Sequence, residues 1–267
     1  MIADKDMETI DPNQESENME VHHHSHASHR KKNWKSYFWE FLMLFLAVFC
    51  GFLAEYQLEH VIEHNKEKQF VQSYIEDLKM DTVAIRANLV FQKSKGKQLD
   101  SLMHYFKMQN IKGNESDLYY FGRLLVRTKR FQNSDRTITQ LKNSGALRLI
   151  RNEAVADSII VYQKLVEVIL GNIADEREER KNVDPLLARI FNPYVFDKML
   201  DSTNTINRPL GNPPLRSYDA SLHQDLAYLI HQIKGSNVIL TTRLTQLFNR
   251  ATNTIAFLQK EYQLSEL

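Results

Sequence analysis

The stretch from Phe38 to Glu55, FWEFLMLFLAVFCGFLAE, limits what this chain can fold into more than any other feature. Fourteen residues from Phe41 to Ala54 carry no charge, with Trp34, Tyr37, Phe38 and Trp39 in front and Tyr56 behind. A helix that crosses a bilayer needs roughly 20 predominantly apolar residues, and about 17 at the least. The segment reaches that length between Tyr37 and Leu58 if Glu40 and Glu55 stand at the two interfaces. Rings with a polar edge suit the headgroup level, so aromatic residues at both ends fit an inserted helix. The pattern predicts a transmembrane helix over 36–58, anchored by Trp34, Tyr37, Phe38, Trp39 and Tyr56.

A basic stretch before a short apolar core also describes a secretory signal peptide, whose cleavage wants small residues at the last and third-last positions. Ending at Ala54 puts Phe52 third from last, and lipoprotein processing at Cys50 meets the bulky Phe49 just before the cysteine. The segment therefore reads as an uncleaved signal anchor. Glu40 is costly so close to hydrocarbon unless it reaches the headgroups or meets a cation, for instance one from another subunit or a membrane partner.

Orientation follows from Arg30, Lys31, Lys32 and Lys35, packed just before the span, because such residues are retained on the cytoplasmic side. After the span, Glu55, Glu59, Glu63 and Glu67 face only Lys66 and Lys68. Residues 1–35 are thus expected to be a cytoplasmic tail and 59–267 an extracytoplasmic domain. Met1 to Glu17 is acidic, polar and aperiodic, the composition of a disordered segment, and Met19 offers a second start. The run His22, His23, His24, His26 and His29 reads either as a solvated tail or as a Zn²⁺ or Ni²⁺ binder.

Over the whole chain, 34 basic residues balance 33 acidic ones, which leaves no electrostatic footprint for nucleic acid. The one cysteine lies inside the span, so no intrachain disulfide can form and stability must come from a core. The residues beyond the span, about 210, are enough to bury one.

Helical periodicity runs nearly throughout. Val71, Ile75, Leu78, Thr82, Ile85, Leu89, Gln92, Gly96, Leu99, Met103 and Phe106 step by four and three without a slip, the seam of a coiled coil or bundle helix. The seam predicts one helix continuous with the span, reaching about Met108 and weakest at Gly96. A second seam passes through Val155, Ile159, Tyr162, Val166, Ile169 and Ile173. A third runs from Leu222 to Tyr262 through Leu229, Ser236 and Ile255, with a stutter near Leu240. Shorter helices are expected at about 117–130 and after a Ser134 or Asp135 cap, the latter ending at Gly145, and Asn152 can cap the helix after that. Asp201 to Ser217, with Pro209, Gly211, Pro213 and Pro214, reads as a surface loop or hinge. The fold class expected is all-α: one N-terminal transmembrane helix continuing into an extracytoplasmic antiparallel helical bundle.

The basic tail with HHHSH and RKK, the span WEFLMLFLAVFCGFLAE, the following HVIEHNKEK and the later TITQLKNSGALRLIRNEAVADSIIVY resemble a family of single-span membrane proteins from Gram-negative bacteria, chiefly Bacteroidetes. That family carries a domain of unknown function. The resemblance implies an inner-membrane setting and brings no catalytic residues with it.

Candidate chemistry is sparse. In EHVIEH, His60 and His64 share a helix face at the spacing zinc enzymes use, but Val61 stands where a metalloprotease places its glutamate. GNPP is not a phosphate loop, and Ser144–Gly145 lacks a nucleophile-elbow context. The single glycines Gly122, Gly145, Gly171 and Gly235 read as caps or close-packing points rather than ligand cradles. No catalytic, cofactor or metal site is expected. Two functional readings remain, a membrane-anchored interaction or scaffold protein and a sensory domain acting through a separate membrane partner. The partners expected are the lipid bilayer and either a second copy or another envelope protein. Continuing the first seam backward gives Lys68, His64, Val61 and Gln57, polar enough to suggest that a second copy faces them. Cys50 is expected to stay unmodified, and intact-mass spectrometry showing a diacylglyceryl cysteine as a new N-terminus would overturn the signal-anchor assignment.

Overall fold

The computed structural model describes residues 33–264. The expectations placed on Met1–Glu17, Met19, the histidines His22 to His29, and Arg30, Lys31 and Lys32 lie outside the described residues. Helix α1 covers Trp34–Lys107, followed by α2 Glu115–Leu125, α3 Arg136–Asn143, a 3-10 turn Ala146–Leu149, α4 Glu153–Lys181, α5 Asp184–Ile190, α6 Pro193–Lys198 and α7 Ala220–Glu261. Among the described residues the only extended pairing is a single bridge between Leu200 and Ile206. The protein is all-helical, and its long N-terminal apolar helix is followed by further helices. The chain divides into two units, Met1–Gln57 and Leu58–Leu267.

The second unit is built on three long segments: α1 from Leu58 onward, α4 and α7. Glu67 of α1 bonds the backbone of Arg151, just before α4, and Asp81 bonds Tyr162 further along α4, so α1 and α4 run the same way. Gln92 meets Asn237 and Glu67 meets Tyr262, so α7 returns antiparallel to both. One hydrophobic core joins Val71, Leu78 and Ile85 of α1 to Ile159 and Val166 of α4 and Leu244 and Leu247 of α7. A second core, at the other end, joins Leu99 and Leu102 to Tyr119 of α2, Ile190 and Phe191, and Leu226 and Ile230 of α7. A Cβ built on Gly122 would lie 2.8 Å from the Phe191 ring, so α2 can seat against that ring only with a glycine there. Gly145 turns the chain out of α3 at φ +65°, whereas Gly171 and Gly235 have nothing within 4 Å and are neither caps nor packing points. Asn152 caps α4 as anticipated, accepting from Ala154 N at 3.0 Å and Val155 N at 3.4 Å.

The seam of α1 differs from the apolar one in the sequence. The positions shared are Val71, Leu78, Ile85, Gln92 and Leu99, all buried. The second column is displaced by one residue: Tyr74, Asp81, Asn88, Lys95 and Leu102 are buried where the sequence pattern pointed to Ile75, Thr82, Leu89, Gly96 and Met103. Ile75 is buried as well, while Leu89 and Met103 are partly buried. Extended back by seven, the column reaches Glu67, also buried. Seven residues fall about 20° short of two full turns of a straight helix, so this column winds slowly around α1.

Apart from Tyr74, whose hydroxyl accepts from Gln163 of α4 at 3.1 Å, each polar member of the column is satisfied by chain that crosses from α2 back to α4. Lys95 Nζ donates to the carbonyls of Leu124 and Leu125 at 2.5 and 2.6 Å, and Asn88 Nδ2 to that of Arg130 at 3.4 Å. Asp81 accepts from Ser134 N at 2.6 Å and from the Tyr162 hydroxyl at 2.6 Å, and Glu67 accepts from Arg151 N at 2.9 Å. Asp77, one turn from the column, accepts from Thr137 N at 2.8 Å, supplying from α1 the cap that the Asp135 side chain does not make for α3. A carboxylate there also favours the positive end of the helix dipole. As α1 residue numbers fall from 95 to 67, their backbone partners rise from 124 to 151, so the crossing segment lies antiparallel along α1 like a strap. Removing one partner strands the other, and an unsatisfied buried polar group costs about 1–3 kcal/mol. Asp81→Ala leaves both Ser134 N and the Tyr162 hydroxyl without their acceptor and is expected to destabilise the fold by at least that amount. Thermal or urea unfolding of the bundle measures it, with the exposed Lys79→Ala as a control near zero.

Candidate functional site

Three places could carry function: the apolar segment of α1, a cleft at the end of the bundle where α1 begins its second unit, and the buried charges around Lys95.

Within the first unit, α1 is the one helix among the described residues long and apolar enough to cross a membrane, and none of its most apolar 18-residue window is buried. The exposed rings surround the helix: Trp34 is 85% exposed, and Tyr37, Phe38, Trp39 and Tyr56 are each more than half exposed. Phe41, Phe45 and Phe49 form an offset ladder, with centroids 6.2 and 5.8 Å apart at i, i+4 spacing. Cys50 and Lys35 are exposed on the same segment. A helix apolar on every side has no solvated face, the condition of a core or of lipid.

The cleft holds about 540 Å³ and is lined by His64, Glu67 and Lys68 of α1, Arg151 and Asn152 before α4, and Tyr262 after α7. Here the EHVIEH histidines separate rather than converge. His60 Nδ1 lies 2.8 Å from the Arg151 guanidinium, which also bonds Glu63 at 2.8 Å, while His64 Nδ1 is 3.6 Å from Glu67. Among the described residues no group of three His, Cys, Asp or Glu side chains could hold a metal ion. Glu67 accepts the Tyr262 hydroxyl at 2.5 Å, and burial, reinforced by this carboxylate, raises the tyrosine above its ordinary value and keeps it a donor. Asn152 bonds Glu261 at 3.0 Å. Glu63 thus meets the Arg151 guanidinium, and Glu67 the Tyr262 hydroxyl, of the same chain. Lys68, His64 and Val61 are exposed, because the buried column passes through Glu67 instead. The cleft clasps the ends of α4 and α7 to α1.

Lys95 is 1% exposed, and a strongly perturbed buried lysine is a recognised signature of function. Desolvation, with the Arg180 guanidinium adding to it and Glu176 opposing it, pushes Lys95 down to about 6. Its Nζ donates to three carbonyls, those of Leu124 and Leu125 and, at 3.3 Å, that of Arg127. Arg180 donates to the same Leu125 carbonyl and pairs with Glu176. Two basic side chains therefore cap the C-terminus of α2, where carbonyls have no intrahelical donors. On the far side of α1, Asn237 Nδ2 donates to Gln92 Oε1 at 2.6 Å, and its Oδ1 lies 3.1 Å from where a Gly96 Cβ would be. Gly96, expected to weaken the helix, admits this amide. Of the polar layer, sequence reasoning placed Gln92 and Tyr162 in its seams and missed Glu67, Asp81, Asn88 and Lys95. The signal available was the recurrence at every seventh position of residues able to hydrogen-bond, from Glu67 to Lys95.

The loop 201–217 is tied down rather than a hinge. Glu115 at the start of α2 accepts from the Tyr218 hydroxyl at 2.7 Å and from Asn212, while Arg208 pairs with Asp117 at 2.6 Å and lies 4.4 Å from the Tyr120 ring.

Because Lys95 has a folded pKa of about 6 against an ordinary 10.5, the unfolded chain binds the extra proton between those values. Stability is then expected to rise with pH across that interval and to be lost as pH falls through about 6. Lys95→Met should flatten this slope, measured by urea unfolding at pH 6, 7.5 and 9.

No family model, no curated protein and no solved structure matches the chain, so the residues and their geometry carry the functional reading.

Proposed function

We propose that the protein is a membrane-anchored, non-catalytic interaction or scaffold protein. It is set in a bacterial inner membrane with its N-terminus in the cytoplasm and its helical bundle in the periplasm. One observation carries this reading: α1 presents an apolar segment on all its faces, and among the described residues none of its most apolar window is buried. Supporting the non-catalytic part, the buried carboxylates, Lys95 and Arg180 are engaged with backbone groups and with one another, in pairings that hold the bundle together. The basic residues Arg30, Lys31, Lys32 and Lys35 before the segment support the orientation, since the insertion machinery holds such clusters inside. The inner-membrane setting accords with the family resemblance seen in the sequence.

A second reading, a sensory domain signalling through a separate membrane partner, draws on α1 itself, since one helix carries both the apolar segment and the polar column. In this reading the output comes from that partner.

A reporter active only in the periplasm, fused after Gln69, is expected to give full signal. Silence there, together with activity from a cytoplasmic reporter at the same position, would reverse the topology.

A further inference from the structure

We infer that copies of this chain associate side by side in one orientation, the outward face of α1 in one copy docking on the outward face of α4 in the next. The inference rests on the anchored reading, which keeps all copies parallel, and names the partner as a second copy.

The outward face of α1 carries an unpartnered apolar stripe. Met80, Val83 and Val90 are 51%, 69% and 67% exposed, with Ala87 between them at the spacing of a coiled-coil seam. Beside this stripe stand Lys79, Arg86 and Lys93, seven residues apart, and Lys97 follows; between Lys79 and Lys97 every exposed charge on α1 is positive. Arg86 leans 5.4 Å over the Phe248 ring, leaving Lys79 and Lys93 the freest of the column.

The outward face of α4 is the complement. Val161 and Val168, seven apart, are 36% and 42% exposed, and Gly171 leaves open space one turn on. On α4 itself the exposed charges beside them are Asp157, Glu167 and Asp175 against Lys164, with Glu178 paired to Lys181; Arg250 of α7 lines the groove beside Asp157 and Val161. A basic apolar stripe and an acidic apolar stripe on different helices cannot satisfy each other within one bundle, but they can between two.

The levels also agree. Glu67 is bonded to Arg151 N, and Lys95 and Arg180 share the Leu125 carbonyl, which fixes two heights common to α1 and α4. Val83 and Val168 both lie near the middle of the interval between those heights. Parallel copies brought together sideways would therefore place valine against valine and Lys93 near Asp175. The contact joins unlike faces and is heterologous, so each copy keeps one free face of each kind and the assembly extends into rows or closes into rings. A two-fold dimer would instead oppose basic column to basic column.

The test uses the full chain in membranes, with Cys50→Ser as background. Val83→Cys and Val168→Cys expressed as separate chains together should form a disulfide-linked pair under mild oxidation, and one chain carrying both should give a ladder beyond the dimer. Neither single variant should link to itself. Lys93→Glu should lower the yield several-fold, and adding Asp175→Lys should restore it, which a loss of folding would not allow. Self-linking of Val83→Cys, linking to a different polypeptide, or silence in the mixed membranes would each overturn the proposal. Alkaline extraction of the same membranes separates the two readings. A chain that stays in the pellet without cross-links refutes only the association, whereas one released to the supernatant refutes the anchor on which it rests.

Discussion

The bundle depends on hydrogen bonds from side chains of one helix to the backbone of a segment that has little structure of its own. Between α2 and α4 the chain must travel back along α1, and it does so with a single eight-residue helix and a 3-10 turn. Such a segment cannot satisfy its own amides and carbonyls, and buried backbone groups left unpaired are rare because they cost as much as a lost bond. Carboxylates of α1 meet the strap's N–H groups, and Lys95 and Asn88 meet its carbonyls. Donor and acceptor types change over along the helix just where the strap presents the opposite kind. Hydrophobic burial drives the three long helices together, but it is non-directional and would tolerate several placements of the strap. The polar column selects one.

This arrangement accounts for the unusual composition of the α1 interior. Asp81, Asn88 and Lys95 sit among Leu78, Ile85 and Leu99 in positions where an apolar residue would pack as well. Buried charges are weak contributors to net stability, and their best-attested role is fixing register. Here the register is that of the strap on α1, and through it the height of α4, whose N-terminus follows directly from Arg151. The level relation between the outward faces of α1 and α4 is a consequence of that same column.

The three long helices were legible because their cores repeat. Val155, Ile159, Tyr162, Val166 and Ile169 of α4 are buried as their spacing indicates, and Ile173 packs against the same core. In α7 the stutter expected near Leu240 is absent: from Ile233 to Leu258 the buried positions step by four and three without a break, with Ile230, Asn237 and Thr254 buried in place of the neighbouring Leu229, Ser236 and Ile255. At Asn88 and Thr254 the displacement has one cause: a search for apolar periodicity steps over a polar position to the neighbouring hydrophobic one, Leu89 or Ile255, where the fold buries a hydrogen-bonded side chain. The EHVIEH pair lacked the glutamate of a metalloprotease, and spacing alone could not show that Arg151, far along the chain, bonds His60 and Glu63.

By itself the sequence determined the helical class, the apolar segment from Phe38 to Ala54 with its aromatic borders, the absence of disulfides outside that segment, and the local caps at Asn152 and Gly145. Each of these depends on neighbours along the chain and on a single period or a single residue's preference. Only the tertiary structure decided that Glu67, Asp81 and Lys95 point inward, that α1 and α4 run in parallel with α7 reversed, and that the loop 201–217 is pinned to α2 by Glu115 and Asp117. Those outcomes turn on which distant backbone group lies within about 3 Å of a side chain. A polar residue reads as solvated in sequence until the chain that satisfies it has been brought to it by the packing of everything else.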